Sequence, residues 1–235
     1  MQENKSLFID TCDTLEKHYA ELKVMMEQAR QLNQLGMHDS ANAVMNDMAA
    51  LGAKITLLTR ELPTLTGNPE ASAAVEAAVA ATCPVEIGFT EDGWFLLKMQ
   101  PLARNKEYAN KEYIRGILYP AMERFWKDKD PARCGKSTMI FRHVYDRERP
   151  EERFRDYGTP EGKAVADIVA MYVLTDDSPF HCSHFHCSTP GTKPRTEVYV
   201  VPQQDFSRWL KKLETMPDES LPVLDAVPKR WKVNP

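Results

Sequence analysis

The chain has 235 residues, 43% of them apolar and 27% charged, with a formal net charge of −4 at pH 7. That is enough apolar content for a sizeable core, without the basic excess of a protein that coats nucleic acid. No apolar run approaches the roughly 18 residues of a membrane-crossing helix, and the N-terminus lacks the basic-then-apolar pattern of a secretion signal, so a cytoplasmic protein with no membrane partner is expected. Charge is unevenly placed. Residues 1–82 carry 6 Lys/Arg against 11 Asp/Glu, and residues 83–235 carry 24 against 23, so the second part can meet a phosphate backbone locally. The five scattered cysteines suit reduced thiols better than a disulfide framework.

From Phe8 the apolar residues recur three and four apart, through Cys12, Leu15, Tyr19, Leu22, Met26 and Ala29, which is the seam of a helix packed on another helix. Gly36 can end this helix, and Asp39 or Ser40 can cap a second one. The second helix carries its seam at Val44, Met48, Leu51, Ile55, Leu58 and Leu62, and Pro63 stops it. Residues 1–66 therefore read as an antiparallel helical hairpin, whose leftover apolar surface suits a second copy of the chain or another partner. Residues 67–82, opened by Gly67-Asn68-Pro69 and then rich in alanine, read as a linker or weak helix.

Beyond Cys83 the pattern shifts to short strands around helices, giving an α+β domain over residues 83–215. Gly93 to Met99 reads as a strand. Residues 107–127 read as a helix kinked or broken at Pro120, and Ser137 to Tyr145 as a second strand. Thr159 caps a helix with Pro160 at its first position; Val165, Ile168, Val169 and Tyr172 form its apolar stripe, and Lys163 and Asp167 lie opposite. This helix is expected to end near Ala170, with residues 172–175 running back extended. Phe180 to Cys187 and Thr196 to Val201 read as two antiparallel strands joined by Pro190-Gly191, Phe206 to Leu213 as a short helix, and residues 216–235 as an irregular tail.

Carboxylates concentrate around one lysine: Asp156, Glu161, Lys163, Asp167 and the doublet Asp176-Asp177. Metal-assisted phosphodiester chemistry uses such a set, with two or three carboxylates holding Mg²⁺ and a lysine neutralising charge on the scissile phosphate. Arg142, Arg147, Arg149, Arg153 and Arg155 form a candidate phosphate-contacting strip. Each feature also has a structural reading. Lys163 and Asp167 can be a solvated pair one turn apart, Asp176-Asp177-Ser178-Pro179 can be turn chemistry, and the arginines are interleaved with acids. In the run His181-Cys182-Ser183-His184-Phe185-His186-Cys187, strand alternation puts Cys182, His184 and His186 on one face. Spaced about 6–7 Å apart along a strand, they are too far apart to share a zinc ion without a sharp bend.

The order of parts from about residue 90 to 202 resembles the RusA-type Holliday-junction resolvases, whose motif runs Asp-x-Asp-Asn, Lys, Asp, Asp-Asp. Asp156 matches its first aspartate, Lys163 the lysine, Asp167 the helix aspartate and Asp176-Asp177 the final pair. Gly158 stands where the family has its second aspartate, Thr159-Pro160 replaces the asparagine, and Glu161 is the replacement ligand the spacing offers. The turn is also similar to that of a bacterial family of unknown function with an Asp-x-Asp-Asn-x-Glu-x-Lys version. The resemblance implies a RusA-like α/β sandwich domain and a Mg²⁺-dependent endonuclease for branched DNA acting as a homodimer. In that enzyme Asp156, Lys163, Asp176 and Asp177 would be the catalytic set, and Asp156, Glu161, Asp176 and Asp177 the metal ligands. The alternative is a non-catalytic interaction protein, of the kind mobile elements carry, that binds a partner through the hairpin.

Overall fold

The computed structural model describes residues 2–68, 70–103, 106, 109–130, 132–148 and 157–231. It is an α+β fold. Helices α1 (Gln2–Gln34) and α2 (His38–Glu61) fold back on each other, and α3 (Ala71–Thr82) follows. A five-stranded mixed sheet is built from β1 (Glu86–Phe89), β2 (Phe95–Met99), β3 (Ser137–Asp146), β4 (Cys182–Gly191) and β5 (Arg195–Pro202), in the order β1-β2-β5-β3-β4. Helices α4 (Lys111–Trp126), α5 (Pro160–Val173) and α6 (Phe206–Leu213) complete it. No helix among the described residues is long and apolar enough to cross a membrane.

The turn between α1 and α2 needs its glycine. Gly36 takes φ 73°, its N–H donates to the Asn33 carbonyl and the Met37 N–H to the Leu32 carbonyl, a Schellman closure. This closure is so tight that α2 starts at His38, which places Asp39 and Ser40 inside the first turn instead of at the cap. The hairpin core is Leu15, Leu51 and Ile55, flanked by Leu22, Met25, Leu58 and Leu62. The α2 seam is the expected one, whereas the contact face of α1 is rotated toward Thr11 and Met25. Tyr19 and Met26 are left 53% and 49% exposed. The hairpin meets the rest of the fold at α4, where the Arg60 guanidinium lies 5.5 Å from the Tyr113 ring centre.

The expected pairing of β4 with β5 does not form; β3 lies between them, antiparallel to β5 and parallel to β4. The reason is burial. Ser137 to Val144 of β3 are all buried, and a strand covered on both faces needs hydrogen-bonding neighbours on both edges. β4 is largely half-exposed and takes the edge. Strand β1, not foreseen as a strand, closes the opposite edge and is itself covered by the tail, with Phe89 and Leu224 exchanging N–H···O bonds of 2.8 and 2.7 Å. A Cβ on Gly88 would sit 2.4 Å from the Leu224 carbonyl oxygen, so that approach requires glycine.

Alternation along the strands divides the core. Phe95, Leu97, Met139, Phe141, Val198 and Val200 face α4 and α5, while Leu96, Ile140, Tyr199 and Val201 face α6 and the tail. α4 runs unbroken through Pro120 and starts later than expected, because the Asn110 side chain accepts the Glu112 and Tyr113 N–H groups and caps it there. α5 continues to Val173, three residues past Ala170. Val173 is fully buried, and the helix stops only where Cys134 captures the backbone of Val173 and Thr175. The tail is irregular but integral. Trp231 is 1% exposed, donates its indole N–H to the Gly93 carbonyl at 2.7 Å and packs edge-on against Phe89. Trp231→Ala will cost about 3–5 kcal/mol of stability through the cavity and the lost hydrogen bond, read as a lower urea midpoint with unchanged far-UV dichroism.

Candidate functional site

The crossover from β3 through α5 to β4 is a βαβ unit, and because β4 is an edge strand α5 covers only part of it. The uncovered part is a cleft of about 420 Å³. Met139 and Phe141 of β3 and Cys182, His184 and His186 of β4 form its floor, and Gly162, Lys163, Ala166, Asp167 and Ala170 of α5 form one wall. Tyr157 and Gly158 lie at the end next to the α5 N-terminus, and Asp177 lies beyond its C-terminus.

Local sequence explains the wall. Thr159 is extended, and its hydroxyl accepts the Gly162 N–H at 3.2 Å, with Pro160 opening the helix. From there the apolar stripe faces the sheet, and Lys163 and Asp167 are turned outward along the cleft. Glu161 is turned the other way. It is 6% exposed, and its two carboxylate oxygens accept the Ala103 and Asn110 N–H groups at 2.6 and 3.0 Å, clamping the segment between β2 and α4 onto the start of α5.

The floor holds a stack of rings. His186 is parallel to Phe141, its cross-strand partner, with centroids 4.8 Å apart, and Tyr157 lies 4.9 Å away from it. The His186 Nδ1 atom is buried and has no hydrogen-bond partner among the described residues. Burial, with His184 nearby, holds the His186 pKa below its ordinary value. Burial lowers that of His184 as well, against the opposing pull of Asp177, so both imidazoles are neutral at pH 7.

The structure separates the expected site residues into groups. Asp156, Arg149, Arg153 and Arg155 lie outside the described residues. Lys163, Asp167 and Asp177 share the cleft and, among the described residues, make no ion pair or side-chain hydrogen bond, so the solvated Lys163–Asp167 pair that the sequence also allows is not seen there. Asp176 instead closes a turn, accepting the Ser178 N–H at 2.8 Å and its hydroxyl at 3.0 Å and lying 2.8 Å from His181 Nδ1. The Ser178 backbone and hydroxyl bonds hold its pKa below the ordinary carboxylate value. It lines a neighbouring depression together with Arg133, Asp167 and Asp177.

Arg142 is not a surface contact. Alternation along β3 aims it at the opposite face of the sheet, where it is 3% exposed and donates to Glu197 at 2.8 Å. Burial by itself would raise the Glu197 pKa, but the Arg142 and Arg195 guanidiniums and the Tyr199 hydroxyl outweigh it, and the carboxylate stays below its ordinary value and ionised. Arg147 is exposed and held by both oxygens of Asp218, at 2.9 and 3.0 Å.

These placements test the fit of Mg²⁺. Roughly 12 Å of helix rise separates Gly162 from Ala170, the residues of α5 near the two ends of the cleft. Among the described residues no three His, Cys, Asp or Glu side chains group so as to hold a metal ion. With Glu161 and Asp176 committed elsewhere, the described residues do not assemble the ligand set. The ring stack was beyond sequence reasoning, because it depends on the Phe141–His186 register of a parallel pair between distant segments.

Glu161→Gln leaves one carbonyl oxygen to serve two donors and turns an amide N–H₂ toward one of them. A loss of about 1–3 kcal/mol is expected, with faster hydrogen exchange at the Ala103 and Asn110 amides; unchanged exchange at both would show that the clamp is not holding the segment.

No curated protein and no solved structure matches the chain. One family model does, over residues 3–222, so the helical hairpin and the sheet fall within a single family description. The chain belongs to a family of unknown function, DUF6100.

Proposed function

We propose that this chain is a RusA-like α+β module that works as a non-catalytic interaction protein, with the α5–β4 cleft as its ligand site and the helical hairpin as its partner-binding arm. One observation carries this reading. Two of the four carboxylates that a shared metal would need are already employed, Glu161 on the backbone N–H groups of Ala103 and Asn110, and Asp176 on Ser178 and His181. A buried carboxylate that accepts two backbone N–H groups is not free for an ion without leaving both donors unsatisfied. In assays with Mg²⁺ or Mn²⁺ and micromolar protein, no nicking of four-way junctions, flaps, duplex or single-stranded DNA is expected. Cleavage that Asp177→Asn abolishes would overturn the reading.

A second reading, a Mg²⁺-dependent endonuclease for branched DNA, draws on a different observation. Lys163, Asp167 and Asp177 line one cleft, and Tyr157 and Gly158 at its end continue from Asp156. In that reading Lys163 neutralises phosphate charge, and Gly158→Asp restores a carboxylate at the cleft mouth. Metal-dependent nicking gained by that substitution would support it.

The hairpin reading is that two copies associate through the flank of α1. Tyr19 and Met26 are about half exposed there, in line with the half-buried Phe8 and Cys12, and a two-fold pair is the commonest oligomer. Light scattering on the full chain should give twice the 26.8 kDa protomer mass, and Tyr19→Glu with Met26→Glu should give the protomer. A wild-type monomer rejects self-association.

A further inference from the structure

Lys163, Asp167 and Asp177 are three charged side chains directed along one cleft and without partners among the described residues. The guanidinium of Arg133 lies in the neighbouring depression that shares Asp167 and Asp177, where its Nη1 donates to the carbonyls of Met171 and Leu174 at the end of α5, and it does not line the α5–β4 cleft. With His184 and His186 neutral, the described residues that line the cleft carry two carboxylates and one ammonium. The two carboxylates at the Asp177 end of the cleft attract a cation, and the ammonium at the other end attracts an anion or an acceptor oxygen.

The charges are also ordered along the cleft. Lys163 lies one turn into α5, toward the end that holds Tyr157. Asp167 lies one turn further on, about 6 Å of helix rise away, and Asp177 stands beyond it near the C-terminal half of the helix. The floor between them is apolar or ring-like, and a cleft of about 420 Å³ is within the range of small-ligand sites. A ligand that satisfies all three has a hydrogen-bond acceptor or carboxylate at one end, an apolar stem, and a planar cation at the other. A guanidinium meets the last of these requirements best, because it pairs carboxylates through several N–H groups and stacks on flat faces such as that of His184.

From this arrangement we propose that the α5–β4 cleft binds arginine, with the guanidinium held between Asp167 and Asp177 and the carboxyl or carbonyl oxygen at Lys163. The ligand is either the free amino acid or an arginine in a peptide. This rests on the reading of the chain as an interaction module, and names the chemistry that its cleft recognises.

Titration calorimetry on the full chain tests it, with L-arginine, agmatine, citrulline, a short arginine-containing peptide and a single-stranded oligonucleotide as probes. L-arginine or the peptide should bind saturably, and citrulline, which keeps the shape but loses the charge, at least tenfold more weakly. Asp167→Asn and Asp177→Asn should each weaken binding at least tenfold. Both side chains are exposed, so matching thermal midpoints can show that the variants remain folded. Lys163→Met should weaken L-arginine but leave agmatine, which has no carboxylate, unchanged. Failure of arginine, agmatine and the peptide to bind at millimolar concentration overturns the proposal, as does binding indifferent to Asp177→Asn, or tighter binding of the oligonucleotide than of arginine. The interaction-module reading fails separately, through metal-dependent DNA cleavage, so a negative cleavage assay with no arginine binding rejects this ligand and leaves that reading standing.

Discussion

One inner strand, β3, governs the rest of the molecule. Eight consecutive residues of β3 are buried, so its backbone donors and acceptors can be satisfied only by strands on both sides. β5 takes one side antiparallel and β4 the other in parallel, and a parallel neighbour requires a crossover, which is α5. Because the crossover lands on an edge strand, α5 lies over β3 and leaves part of β4 open, and the cleft is that open part. The site is therefore a consequence of strand order, and no loop had to be shaped separately to make it.

Two devices hold this arrangement together. Glu161 ties the start of α5 to the segment that leaves β2, fixing the helix against the sheet at its N-terminal end, and Cys134 captures the backbone beyond Val173 at the other. The tail does the corresponding work on the far edge. Leu224 extends the pairing of β1 and Trp231 seats its ring against Phe89, so a sheet edge that would otherwise expose unpaired N–H and C=O groups is covered by the chain itself. Residues that look like surface chemistry in the sequence are in several cases the fastenings of the fold. Glu161 and Arg142 are buried acceptor and donor, and Asp176 is the organiser of a turn.

What these fastenings leave over makes the cleft distinctive. Lys163, Asp167 and Asp177 are exposed, and all three line one depression whose floor includes Phe141, Met139 and two neutral histidines. Unpaired charges of both signs along a partly apolar cleft favour a ligand with two polar ends over a uniformly charged polymer.

Local chemistry and periodicity alone determined much of this protein. The αα-hairpin with its Gly36 turn, the α2 seam, the Thr159-Pro160 start of α5, β3 and α6 all follow from short-range rules of burial period, capping and turn conformation. The sequence also placed Lys163 and Asp167 on the outward side of α5, and Cys182, His184 and His186 on one face of a strand. Only the tertiary structure decided which strands are neighbours, because pairing depends on total burial and not on closeness in the chain; the sequence order suggested β4 beside β5, and the burial of β3 put it between them. It also decided which charges remain free. Whether Glu161, Arg142 and Asp176 face a ligand or a fold partner depends on groups far away in sequence or on the conformation of a turn, and the energy of satisfying a buried donor or acceptor exceeds any preference that a residue type carries by itself.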